Sequence, residues 1–359
     1  MIKQQLHLKG LDTFRAISVV VVFMCHVELF KSKMGMDNFF KLPFFDKTGG
    51  FIAVILFFTL SGFLITFMLT KEKEKFKEIS LKKFYFRRIL RVWPLYFLVI
   101  LISYLLSDFS PNYLTLILCL TIFPNIAHAF GMGWGGSPQI WTIGVEEQFY
   151  LFWPLLMKLF KNLLIVTFIV FIIFSLLPHV VLYFINNYYP DPEILKLVNT
   201  LFYVTKFNCM ASGGFFAVLL SNNSKVIGIL NKNIIVSYVL IFLPFILWFS
   251  SFYLNFFNEE FYAILFSIAM LVIVTNKSVL NIDSKISLFI GKMSYGIYMF
   301  HWIVIELLFK NGFFKNCDNG LLSNLIIYCS TFGISIGLAV ISYNYFEKPF
   351  LKLKERYNR

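Results

Sequence analysis

The sequence predicts an all-α, polytopic membrane protein with about ten transmembrane helices and one re-entrant or non-crossing segment. Hydrophobic residues make up 58% of the 359 residues, charged residues only 14%, and 46 residues are phenylalanine. These apolar residues form long uncharged runs, which suit helices of about 20 residues that cross a bilayer. The net charge of +13 does not indicate nucleic-acid binding, because the lysines and arginines lie between the apolar runs, as topology determinants do.

The predicted spans come from two kinds of segment. Long uncharged runs occupy 48–70, 92–107, 109–145, 162–190, 207–224, 233–258, 261–276 and 319–346. Three further segments carry charge or histidine within apolar sequence, at 12–30, 142–157 and 293–309. The five cysteines are scattered without metal-ligand spacing, so we predict no metal site and no disulfide framework. We expect one membrane domain over 1–359, with no appended soluble domain.

The run 109–145 is too long for one span, and the distribution of Lys and Arg decides how it is divided. If 112–126 does not cross, 23 basic residues fall inside and 8 outside; if it crosses, the counts are 15 and 16. The positive-inside rule favours the first arrangement. We therefore predict ten crossings, both termini in the cytoplasm, and 112–136 as a re-entrant or outward-facing segment. Such backbone needs a protein-lined or wet cavity.

The first span carries two ionisable residues, Arg15 and His26. Eleven residues separate them, so at 100° per residue both side chains share a helix face, about 16 Å apart along the axis. The arginine then lies near one membrane surface and the imidazole near mid-depth. Ionisable groups at that depth are costly and usually mark a pathway or a reaction centre.

Arg88 and Arg91 end a charged loop and share a helix face at the spacing i, i+3. Two guanidinium groups at the cytoplasmic surface suit a phosphorylated ligand, because each offers a planar fork of donors. Lipid headgroups account for the same pair equally well.

Three further candidates lie in apolar sequence. Glu146 and Glu147 follow a glycine-rich approach, which suggests the rim of a cavity, although acids at a solvated helix start are also stabilised by the helix dipole. Tyr298 and His301 are spaced i, i+3 and share a face. A lone histidine on such a face is more often a hydrogen-bonded core residue than a catalyst, and the spacing alone leaves both roles open.

These segments together resemble the acyltransferase 3 family of integral-membrane O-acyltransferases, over nearly the whole chain. Six pieces occur in the family's order: Arg15-Ala16 with His26 eleven residues after the arginine, FFTLSGFLIT at 57–66, FRRILRVWPLY at 86–96, WTIGVEEQFY at 141–150, SYGIYMFH at 294–301 and FEKP at 346–349. Ile143 and Met299 stand where the family usually has leucine.

The resemblance implies transfer of an acyl group, usually acetyl from cytoplasmic acetyl-CoA, to a hydroxyl of a surface polysaccharide or related acceptor. It implies a bacterial plasma-membrane location and acyl-CoA as a co-substrate, with no tightly bound cofactor. His26 becomes the candidate base or acyl acceptor, and Glu146 a group that orients or counterbalances it. His301 and Tyr298 become candidates for positioning the acceptor or donating to the carbonyl oxygen. Arg15, Arg88 and Arg91 become candidates for binding the donor.

The sequence alone leaves two alternatives of a different class: a transporter of polysaccharide or of an acyl carrier, and a structural subunit of an export complex, which leaves the buried His and Glu unexplained. A polysaccharide exporter or transporter without acyl-transfer chemistry also requires many spans and buried charge. Such proteins often contain symmetry-related broken helices in two halves, and we find no internal repeat of that kind in the sequence. The identity of the acceptor and the choice between direct transfer and an acyl-histidine intermediate stay open.

Overall fold

The computed structural model describes residues 8–42, 45, 47–107, 110–315, 317, 320–355 and 357. Fifteen α-helices occur in these ranges, and no strand does. They are α1 Leu11–Lys33, α2 Lys47–Phe76, α3 Leu81–Leu106, α4 Tyr113–Leu120, α5 Pro124–Ala129, α6 Trp141–Leu159, α7 Leu163–Tyr188, α8 Pro192–Tyr203, α9 Phe207–Ser221, α10 Lys225–Leu230, α11 Ile234–Phe249, α12 Asn258–Thr275, α13 Lys285–Lys310, α14 Leu321–Ile341 and α15 Lys348–Glu355. The predicted all-α, polytopic fold is confirmed.

Within the described ranges, eight helical segments are long and apolar enough to cross a membrane. They contain α1, α2, α3, α7, α9, α12, α13 and α14. Two more helices coincide with predicted spans but are shorter or more polar. Helix α11 has 16 residues, and α6 has 19 residues, among them two glutamates and Lys158. The ten predicted spans therefore all contain a helix, and eight meet the length and apolarity of a crossing.

The segment 112–136 does not form a crossing helix. It contains α4, with eight residues, and α5, with six, which reach only about 12 Å and 9 Å at 1.5 Å per residue. Its backbone is held against α3, where Tyr96 donates to the carbonyl of Cys119 at 2.8 Å and Trp134 donates to the Ser103 hydroxyl at 2.8 Å. Protein contacts thus satisfy polar groups that lipid cannot.

Glycines permit the closest helix contacts in the bundle. A Cβ atom at Gly62 of α2 would collide with the backbone of Met210 in α9, and one at Gly213 would collide with the carbonyl of Thr59. Helices α2 and α9 therefore pack backbone to backbone, as small residues allow in membrane proteins. This requirement explains the glycine of the motif at 57–66.

Helices α1 and α13 are joined at their first turns. The Asp283 carboxylate accepts from the backbone N–H of Gly10 at 2.9 Å and from the Thr13 hydroxyl at 2.7 Å. The Thr13 and Ser287 hydroxyls lie 2.9 Å apart, and Ser287 also forms a capping box with Ser284 that starts α13. The two helices then run side by side in the same direction.

Candidate active site

A cavity of about 280 Å³ lies among α1, α2, α3, α6, α13 and α15. We call it the basic cavity, because its described lining includes Arg15, Arg88, Arg91 and Lys354. One carboxylate, Glu146, belongs to the same lining. The rest is largely apolar or hydroxyl-bearing and includes Phe57, Ser61, Thr142, Tyr150, Ser294, Tyr295 and Tyr298. A cavity with this lining suits a ligand that is both anionic and partly apolar.

The guanidinium groups differ in their surroundings. Arg15 forms an ion pair with Asp12 at 2.5 Å on the same helix. Arg88 lies over the rings of Phe84 and Tyr150, at 5.7 Å and 5.2 Å from their centroids. Among the described residues, no carboxylate forms an ion pair with Arg88 or Arg91, so their positive charge is available to a ligand. Both line the basic cavity, as their shared helix face predicts.

The two adjacent glutamates have separate environments. Glu146 lines the basic cavity together with Ser61, and it interacts electrostatically with Arg88 and Arg15. The Ser61 hydroxyl is hydrogen-bonded to that of Tyr150. Glu147 faces away and accepts from the indole N–H of Trp93 at 2.8 Å. Only Glu146 is therefore placed to act on a ligand in the cavity.

The inner end of the basic cavity is a hydroxyl cluster around Tyr298. The hydroxyls of Tyr298 and Thr142 lie 2.9 Å apart, and both reach the backbone carbonyl of Gln139, at 3.2 Å and 3.1 Å. The Gln139 side chain donates to the carbonyl of Met299 at 3.0 Å. These bonds fix α6 against α13 beside the predicted catalytic helix face.

His26 and His301 form a hydrogen-bonded pair between α1 and α13. Nδ1 of His26 lies 2.7 Å from Nε2 of His301, and the rings are nearly parallel, with centroids 5.0 Å apart and an interplanar angle of 10°. His301 is only 1% exposed, whereas His26 is half-buried. The Trp302 ring packs nearly perpendicular to the His26 ring, at 5.0 Å between centroids. Two residues far apart in sequence thus form one site.

The hydrogen bonds determine which ring nitrogens of this pair carry a proton. Nδ1 of His301 lies 2.6 Å from the backbone carbonyl of Tyr298, and a carbonyl can only accept, so that nitrogen carries the proton. In a neutral His301, Nε2 is then an acceptor, and Nδ1 of His26 is its donor. The remaining nitrogen of His26, Nε2, is left with a lone pair. The pair can therefore present His26 as a base or a nucleophile.

The basic cavity stops short of the histidine pair. Of the described residues that line it, Tyr298 is the nearest to His301 along α13, three residues before it. Three residues span about 4.5 Å of helix. The ring of Phe57 packs edge-on against Tyr298, with centroids 5.8 Å apart. The cavity and the histidine pair are thus neighbouring parts of one site, separated by a single turn.

All seven residues predicted from the sequence lie in the cavity or in the adjoining pair, and each role among them remains a prediction. Sequence reasoning missed Lys354, Thr142 and the Tyr298 carbonyl, because their placement depends on tertiary packing. It also missed His128 of α5, which stacks on Trp141 at 5.7 Å. Burial lowers the pKa of the His128 imidazole from its ordinary value.

A model of the acyltransferase domain family matches residues 8–344 of this chain. The chain is similar to the O-acetyltransferase OatA of Staphylococcus aureus, with 27% identity in an alignment 375 positions long that covers 96% of this chain and 57% of the relative. It is also similar to the peptidoglycan O-acetyltransferase OatA of Listeria monocytogenes, with 29% identity over 171 residues that cover 43% of this chain and 25% of the relative.

The chain spans little more than half the length of the Staphylococcus relative and a quarter of the Listeria one in these alignments. No solved structure matches it significantly.

Proposed function

The chain belongs to the acyltransferase 3 family, and on that premise we propose that it transfers an acetyl group from cytoplasmic acetyl-CoA to a hydroxyl of a cell-surface polysaccharide. The single observation that carries this proposal is the contact between His26 and His301 at 2.7 Å, one helical turn from the basic cavity. This contact leaves a proton acceptor on His26, beside a cavity that suits a phosphorylated donor. The relatives' printed names, O-acetyltransferase and peptidoglycan O-acetyltransferase, support the acyl group and the acceptor class.

The basic cavity is the proposed donor site. Arg88 and Arg91 offer planar donor forks without a carboxylate partner, which suits the phosphates of CoA. Arg15 lies on the same helix face as His26 and nearer the start of α1, where it would hold the donor as its thioester approaches Tyr298. The distribution of Lys and Arg predicts that both termini lie in the cytoplasm. In a bacterial plasma membrane, the mouth of this cavity would then face the cytoplasm, where the donor is.

Chemistry is proposed at Nε2 of His26. In direct transfer, this atom takes the proton of the acceptor hydroxyl while the oxygen attacks the thioester carbonyl. The C–S bond then breaks, and the leaving thiolate takes the proton from His26. In the covalent route, Nε2 itself attacks the carbonyl and the C–S bond breaks to release the thiolate. The acceptor oxygen then attacks the acyl group, the C–N bond breaks, and the acceptor proton passes to the freed Nε2 and from there to the thiolate. Both routes require the lone pair that the hydrogen bond to His301 leaves on His26.

Two polar groups have proposed supporting roles. The Tyr298 hydroxyl lies at the inner end of the cavity, where it can donate to the carbonyl oxygen as negative charge develops there. Glu146 would orient the donor or counterbalance the positive charge that His26 gains. The acceptor hydroxyl would approach from the opposite side of the membrane, where the half-buried His26 remains accessible.

The test is the O-acetyl content of surface glycans, measured by mass spectrometry in cells that lack the gene and carry it back on a plasmid. Wild type is expected to restore acetylation, and His26→Ala to leave it absent at equal membrane abundance. His179→Ala is a matched control, because His179 is an exposed histidine of another helix, α7. If cells that lack the gene lose the polysaccharide from their surface while the polysaccharide inside is acetylated as before, the protein acts in export and not in acetyl transfer.

A further inference from the structure

Lys354 lines the basic cavity, although it lies more than 260 residues after Arg91, the last of the three arginines in the cavity. Its helix, α15, follows α14 and forms the C-terminal end of the candidate span Leu321–Glu355. In sequence it is one of several lysines in a basic tail, which topology alone would explain. In the structure it lines the cavity together with Arg88 and Arg91. Lys352, two residues earlier, is exposed.

Helix α15 is held beside α3, the helix that carries the arginine pair. The rings of Phe86 and Tyr357 are stacked, with centroids 4.9 Å apart and planes at 5°. Arg87 donates to the backbone carbonyl of Tyr357 at 3.1 Å and also forms an ion pair with Glu72 at 2.9 Å. Phe86 and Arg87 directly precede Arg88 in α3. The same stretch of α3 therefore positions two cavity arginines and the segment that follows Lys354.

The arrangement brings like charges together. Lys354 interacts electrostatically with the cations Arg91, Arg88 and Arg87 and, more weakly, with the carboxylate of Glu355, and among the described residues it forms no ion pair. Mutual repulsion of these groups opposes the folded arrangement. An anion in the cavity would offset it, and a ligand with several phosphates would contact cations from both α3 and α15. The surplus of positive charge thus points to a polyanion.

We propose that Lys354 binds a phosphate of the acyl donor, so that α15 forms one wall of the donor site; this inference rests on the proposed function. The shared chemistry is a phosphate ester, which acyl-CoA and an anionic lipid headgroup both contain. The position of Lys354 in a cavity that reaches Tyr298, rather than on the exposed side of α15, favours the soluble donor. Lys354 is then a binding residue that acts on donor affinity and leaves the acyl-transfer chemistry to His26.

The experiment measures equilibrium binding of CoA to the purified full chain in nanodiscs of uncharged phosphatidylcholine. Lys354→Gln is expected to weaken binding about tenfold, as loss of a charge-assisted contact does. Lys354→Arg should retain binding within about threefold. Lys352→Gln, the matched control on the same helix, should bind as wild type does. Size-exclusion elution and thermal unfolding check that each variant is folded, and Lys354→Glu, expected to bind still more weakly, gives a second test of charge.

The outcomes separate this inference from the proposed function. If wild type binds CoA and both Lys354→Gln and Lys354→Glu bind it equally well, Lys354 is not a donor residue, and the proposed function stands. If CoA binding is unchanged in those variants and only the thermal stabilisation that phosphatidylglycerol in the nanodisc gives to wild type is lost, the residue binds lipid, and the inference is overturned. If wild type itself fails to bind CoA, the proposed donor is wrong and this inference falls with it.

Discussion

Nδ1 of His26 lies 2.7 Å from Nε2 of His301, although 275 positions separate the two residues in the chain. The contact follows from the register of α1 and α13. Thr13 and Ser287 meet at 2.9 Å near the helix starts, and the histidines lie 13 and 14 residues beyond them. Those distances correspond to about 20 Å and 21 Å of helix, so two parallel helices in this register bring both imidazoles to the same depth.

His26→Ala is predicted to lower acyl transfer by about 100-fold or more, because general-base catalysis typically contributes about 10² to 10⁴. The variant should insert at least as well as wild type, since alanine suits an apolar span better than imidazole does. Transfer from radiolabelled acetyl-CoA in membrane vesicles, normalised to protein in the membrane, measures the effect. A well-inserted variant with near-normal transfer would make His26 a structural residue.

His301→Ala is predicted to reduce kcat strongly while leaving donor binding intact, because His301 holds the ring of His26 and not the donor. The double variant His26→Ala/His301→Ala should then be no slower than His26→Ala alone, as residues that act as one unit are non-additive. Rates measured in the same vesicles for all four proteins complete the cycle. If the rate losses of the two single variants multiply in the double variant, the two histidines act separately.

The sequence predicted the helix face shared by Arg15 and His26, because a fixed period of 3.6 residues is a local property. It also predicted the common face of Arg88 and Arg91 for the same reason. Local periodicity contains no information about which helices become neighbours. The pairing of His26 with His301 depends on the register of α1 against α13, and it emerges only in the folded chain.

Lys354 shows a second limit of sequence reasoning. Its neighbours are basic, and a basic stretch after a long apolar span is explained by membrane topology alone. Lys354 and Lys352 lie on different sides of α15, because Lys354 lines the basic cavity and Lys352 is exposed. This orientation of α15 is accompanied by the stacking of Phe86 on Tyr357. An aromatic contact between segments so far apart leaves no periodic signal in the sequence.

Arg91→Lys is predicted to raise the KM for acetyl-CoA about tenfold with little change in kcat. The substitution retains the charge but replaces a planar donor fork by a point charge, which cannot make a bidentate contact with a phosphate. Arg88→Ala should weaken donor binding as well, and it also removes the cation from the face of the Tyr150 ring. Donor titrations at saturating acceptor measure both variants. Unchanged donor KM in both would exclude the pair from the donor site.

Gly291→Ala is predicted to destabilise the protein and slow transfer. A Cβ atom at Gly291 would collide with the backbone carbonyl of Asp12, so α13 must move away from α1, and the histidine pair must widen. Gly337→Ala in α14 is the matched control, because nothing lies within 4 Å of a Cβ atom there. Alanine in an open helical position ordinarily stabilises a helix by about 0.5–1 kcal/mol. Thermal unfolding of the purified proteins and transfer rates test both; equal behaviour of the two variants would contradict the close approach.

The last prediction concerns the sidedness of the bundle, on which the assignment of the donor side depends. Because α4 and α5 are too short to cross, the chain should return to the side it left, with 112–136 outside and the segment around α10 inside. A cysteine at Gly135, an exposed position, should react with an impermeant thiol reagent added to intact cells. A cysteine at Lys232, also exposed, should react only after the membrane is permeabilised. Both are introduced into a variant whose five native cysteines have been replaced. Labelling of Lys232→Cys from outside would mean that every helix after α5 crosses the membrane in the opposite direction. The part of the basic cavity formed by α13 and α15 would then open away from cytoplasmic acetyl-CoA.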